Sequence, residues 1–120
     1  PADPWLPAAG CADMSNPAPL RRAGFALTGP LIWAAHFLAV YTSESLACRW
    51  SEPAAHDAIV AGATFFAIVA ILGHIHRTGQ NADASEVDRF MRFTALALGG
   101  LSLIGVCWAG LAALLLGACR

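Results

Sequence analysis

The sequence predicts an all-α fold: a bundle of three transmembrane helices behind a Pro/Ala-rich N-terminal extension. Three observations predict it. Apolar residues make up 58% of the 120 residues and charged residues only 12%, whereas a soluble domain carries about 45–50% and about 25%. Three stretches are each long enough to cross a hydrocarbon core of about 30 Å, which takes about 20 apolar residues. Each stretch is bounded by charge, as a membrane span must be. A net charge of −1 gives no reason to expect a nucleic-acid partner, and the length allows one domain.

Residues 1–22 form the extension. Pro1, Pro4, Pro7, Pro17 and Pro19 interrupt any long helix there, because proline lacks an N–H and clashes with the preceding turn. Trp5 and Leu6 give this segment something to dock with. The first residue is proline rather than methionine, so the true start is expected upstream.

The membrane domain is residues 23–120. Its first span, about 23–47, follows Arg21 and Arg22 and ends before Arg49 and Glu52. Pro30, beside Gly29, predicts a kink, or a membrane helix that begins there and reaches through Tyr41 into the polar run Thr42-Ser43-Glu44-Ser45. The second span, about 54–76, starts after Pro53, a residue tolerated in a first helical turn. His74, His76 and Arg77 close it. The polar segment from Thr78 to Asp88 is expected as a loop. Ser85 and Asp88 are placed to start the next helix, since acceptors there meet free N–H groups. The third span is about 93–118.

In lipid, helices associate through close backbone approach and interhelical hydrogen bonds. Gly105, Ala109, Ala113 and Gly117 recur every four residues and predict a smooth seam on the third helix. Ala35, Ala39, Ser43 and Ala47 do the same on the first, and Ala58 and Gly62 more weakly on the second.

The polar groups inside the spans carry the functional expectations. An ionisable side chain at membrane depth faces protein, not lipid. His36 lies midway along its span. It is expected to bond a neighbouring helix, to meet a partner subunit, bound lipid or quinone, or to ligate haem, chlorophyll or copper. His56, His74 and His76 are at other depths, so one chain offers no histidine pair for such a ligand. Trp33, Tyr41 and Glu44 are further interaction candidates, Glu44 meeting Arg49, His56 or a partner's base. His74 and His76 are two apart and point to different sides, serving with Arg77 as positive-side anchors.

Four cysteines are present. Cys107 is expected as a small apolar filler. Cys48 and Cys119 fall at the same end of the bundle, where an oxidising compartment would let them form a disulfide.

Arginines set the orientation. Arg21, Arg22, Arg77, Arg89 and Arg92 fall on one side, Arg49 and Arg120 on the other. The N-terminus is therefore expected in the cytoplasm and the C-terminus in the periplasm, with Trp50 at the outer interface.

Gly29, Pro30, Trp33, His36, Phe37, Tyr41 and Cys48, in the pattern G-P-x-x-W-x-x-H-F-x-x-x-Y, resemble small proteobacterial inner-membrane proteins associated with haem–copper terminal oxidases. The resemblance covers one span. It implies an accessory, assembly or structural role beside a cytochrome c oxidase, in contact with larger integral-membrane subunits, without catalytic residues. The alternatives carried forward are a membrane electron carrier binding haem or quinone through His36 in an oligomer, and a small transporter or channel component.

Overall fold

The computed structural model describes residues 18–50, 53–80 and 85–116. All of them except Leu27 and Ser85 lie in four helices: α1 (Ala18–Ala26), α2 (Thr28–Trp50), α3 (Pro53–Gln80) and α4 (Glu86–Leu116). From Ala54 onward α3 is long and apolar enough to cross a bilayer, and so is α4. By itself α2 falls short, because its last third carries hydroxyls, Glu44 and Arg49. Joined to α1 it meets the same standard, as a broken span bent by 53°.

The break follows from Pro30. A proline at this position cannot donate to the carbonyl of Ala26 and would clash with it in a continuous helix. The chain therefore ends α1 and restarts. Leu31 N–H bonds Leu27 O, so Pro30 lies within the first turn of α2, where a free N–H would be unpaired anyway. The Thr28 hydroxyl donates to Gly24 O at 3.0 Å and so satisfies a carbonyl at the end of α1.

Both ends of the expected 78–88 loop are helical. Thr78 is fully buried and its hydroxyl donates to His74 O at 2.7 Å, which carries α3 on to Gln80. The Asp88 N–H donates to Ser85 Oγ at 3.2 Å while the Ser85 hydroxyl donates to Asp88 Oδ2 at 2.8 Å. This reciprocal cap starts α4 at Glu86, seven residues before the apolar run begins.

The three long helices pack on one another, and α1 folds against α4. Arg22 reaches Asp88 at 3.6 Å, and Phe25 covers His74 with ring centroids 4.8 Å apart. His74 is thus buried under α1 rather than anchored at the surface, while His76 is exposed and bonds Gln80.

The seams run at spacings of three, four and seven residues. On α2 the buried positions are Gly29, His36, Ser43 and Ala47. On α3 they are His56, Val60, Ala67, Ile71, His74 and Thr78. On α4 they are Ala95, Gly99, Ser102, Val106 and Gly110. Such a repeat keeps one edge of each helix against its neighbours. The four-residue stripes expected from sequence are rotated off these edges. Each step of four residues drifts about 40° around the helix, so Ala35 ends up exposed although Ser43 and Ala47 are buried. Ala58 is exposed and Gly62 faces open space.

Ala67, Ile71 and Val106 form the apolar centre, with Ile32, Ile68, Ile75 and Leu103 against it. At one level the backbones of α2 and α4 nearly touch: a Cβ on Gly29 would lie 2.9 Å from the Gly99 Cα. Elsewhere the surface is apolar. Only 17% of the α3 window and 22% of the α4 window are buried, and Phe66, Phe93, Leu101, Ile104, Trp108 and Leu115 are all largely exposed. A water-soluble protein does not carry that much contiguous apolar surface; hydrocarbon is the solvent it fits.

Candidate functional site

Two sets of polar side chains are built into the bundle, one closed and one open. The closed set holds the helices together. His36 is 4% exposed, and its Nε2 lies 3.0 Å from Thr64 Oγ1 on α3. Gly110 on α4 makes room for Thr64: a Cβ there would sit 2.5 Å from the threonine oxygen. The other ring nitrogen, Nδ1, is buried without a hydrogen-bond partner among the described residues.

One level nearer the Trp50 end, Ser43 Oγ is 2.8 Å from Val40 O and 3.1 Å from His56 Nδ1. The serine hydroxyl has one proton, and it goes to the Val40 carbonyl. Ser43 must therefore accept from His56, which places a proton on Nδ1. In the neutral ring, Nε2 is then an acceptor.

The open set lies between α2 and α4. Phe37, Val40, Tyr41 and Glu44 form one wall, Ala109, Ala112, Ala113 and Leu116 the other, and His56 of α3 reaches in at the Trp50 end. The groove has a volume of about 260 Å³. Its α2 wall continues as an aromatic ladder at i, i+4 spacing. Trp33 and Phe37 have ring centroids 6.1 Å apart, Phe37 and Tyr41 6.4 Å with planes 12° apart. At the other end of the ladder Trp33 lies on Gly105 of α4, where a Cβ would come within 2.8 Å of its indole Nε1.

Six residues singled out from sequence thus lie along this side of the bundle: Trp33, Tyr41, Glu44, Gly105, Ala109 and Ala113. His36 does not join them; its side chain turns into the interior. Gly117 and Cys119 lie outside the described residues. Gly105, Ala109 and Ala113 of α4 are half-buried. Cys48 is disulfide-bonded, and Cys107 is free and exposed rather than packed in the interior.

Sequence reasoning missed Thr64 and the pairing of Ser43 with His56. Looking for a second histidine at the depth of His36 hid the threonine, although a hydroxyl serves as well. Against protein-family models, curated proteins and solved structures alike, the chain has no match.

Proposed function

We propose that this chain is a three-span protein of the bacterial inner membrane and a non-catalytic accessory, structural or assembly subunit of a larger respiratory complex, bound through the groove between α2 and α4. By the G-P-x-x-W-x-x-H-F-x-x-x-Y resemblance, the complex is a haem–copper cytochrome c oxidase. The observation that carries the reading is the groove itself. Ala109, Ala112 and Ala113 form a smooth wall of the kind that lets a second helix approach closely, and the aromatic ladder stands beside it as a ridge.

The inward set supports the same reading. His36, Ser43, His56 and Thr64 bond one another across helices, so the bundle is braced from inside and its outward features are left for contact. A haem carrier would need His36 to leave Thr64 and turn out of the bundle.

The test is site-specific photocrosslinking in intact cells. A photoreactive phenylalanine at Tyr41, in the groove wall, is expected to give one discrete adduct with a large membrane subunit. The same group at Phe66, exposed on α3, is expected to give lipid adducts only. Equal adducts at both positions, or protein adducts at neither, would sink the proposal.

A further inference from the structure

The chemistry of the groove at its Trp50 end specifies the partner more closely; this step rests on the docking proposed above. Tyr41, Glu44 and His56 line that mouth. Among the described residues, Glu44 takes no hydrogen bond and no ion pair. The nearest arginine in sequence is Arg49, five residues on. That spacing puts it about 140° around the helix, on another face. His56 is 2% exposed, and its Nδ1 lies 3.1 Å from Ser43 Oγ, to which it donates in the tautomer derived above. Its Nε2 is left as an acceptor without a partner among the described residues.

Apart from the Tyr41 hydroxyl, the mouth therefore offers acceptors only: a carboxylate and a ring nitrogen. The stacked faces of Phe37 and Tyr41 add negative π density beside them. Glu44 is exposed on the open side of the groove, and a carboxylate there facing an apolar membrane environment is costly unless a cation meets it. An ammonium or guanidinium, all donors and no acceptors, is the complement of this set.

We propose that the helix docked in the groove carries a lysine or arginine level with Glu44 and His56. Glu44 lies six residues before Trp50, about 9 Å along the axis, so the base sits where a long side chain can lie along the groove and keep its charge near the head groups. An acidic residue at the same level of the partner is rejected by like charge.

The test uses the full-length protein, labelled with a donor dye in phosphatidylcholine vesicles, and three acceptor-labelled Leu/Ala peptides of about 24 residues. One has a lysine at the level of Glu44, one a leucine there, one a glutamate. Association is read by energy transfer. The lysine peptide is expected to bind roughly tenfold more tightly than the leucine peptide, the scale of one charge-assisted hydrogen bond, and the glutamate peptide more weakly than either. Glu44→Gln should remove the advantage of the lysine peptide over the leucine peptide.

If lysine and leucine peptides bind alike while Ala113→Leu blocks both, helix docking stands and the basic partner is overturned. If Ala113→Leu blocks neither, the docking reading itself fails. If replacing phosphatidylcholine by phosphatidylethanolamine abolishes the lysine advantage, a lipid ammonium occupies the mouth and a protein base does not.

Discussion

His36 on α2 and Thr64 on α3 are 28 residues apart in sequence and 3.0 Å apart in space, Nε2 to Oγ1. They meet because α4 has no side chain at Gly110. Three helices thus converge on one hydrogen bond, and its energetics are open to measurement. Thr64→Val keeps the shape of the side chain and removes the hydroxyl. It leaves both ring nitrogens of His36 buried and unpartnered, at an expected cost of about 1 kcal/mol or somewhat more. Reversible unfolding in mixed detergent micelles reads this directly. The double variant His36→Leu with Thr64→Val should recover much of the loss, because both partners become apolar. An unchanged unfolding midpoint in Thr64→Val would mean that the bond contributes nothing.

The glycines divide into two kinds. Gly29→Ala puts a methyl group 2.9 Å from the Gly99 Cα. Two backbones must separate to admit it, at an expected cost of about 1–3 kcal/mol. Gly73→Ala meets nothing within 4 Å and replaces glycine by the best helix former, a gain of up to about 1 kcal/mol. The same unfolding measurement should move in opposite directions for the two. Matching shifts would show that α2 and α4 are not in close approach at Gly29.

That contrast also explains what could be read from the sequence. The three long helices were legible, because uninterrupted apolar stretches of this length have few other uses and the charges mark their ends; α1, which begins at Ala18 inside the expected extension, was not. The break before Pro30 and the cap at Ser85 and Asp88 were legible for the same local reason: each depends on residues within one turn. The packing edges were not. In a chain this rich in alanine, small residues recur every four positions on several faces, and only tertiary contact selects the edge at Gly29, His36, Ser43 and Ala47. The groove residues Tyr41, Glu44, Ala109 and Ala113 were named individually, yet their convergence depends on the rotation of α2 against α4, which no local pattern encodes. His74 was misread because α1 folds back over it, a contact between segments 49 residues apart at Phe25 and His74.

Cys48 is disulfide-bonded, and the sequence reading pairs it with Cys119. Under denaturing conditions without reductant, a maleimide should leave two cysteines of the chain unmodified, and reduction should add two labels to the intact mass. Cys119→Ser should free Cys48 for labelling. If Cys48 stays blocked in that variant, its partner is another cysteine.

The orientation yields the remaining prediction. Arg21, Arg22, Arg77, Arg89 and Arg92 gather at the end of the bundle where α1 folds against α4, and Arg49 lies at the other, while Arg120 is outside the described residues. Among the described residues, Arg22 pairs with Asp88 of α4 at 3.6 Å and Arg89 with Glu86 at 3.2 Å. Such exposed pairs are worth less than about 1 kcal/mol, and acids contribute little to topology, so the arginine bias stands. A disulfide at Cys48 would suit an oxidising compartment, which agrees with the proposed periplasmic side for the Trp50 end. A phosphatase reporter that folds only after export should therefore be active when fused after Arg120 and inactive when inserted between residues 80 and 85. The reverse pattern would invert the topology and put the groove mouth, with Glu44 and His56, on the cytoplasmic side.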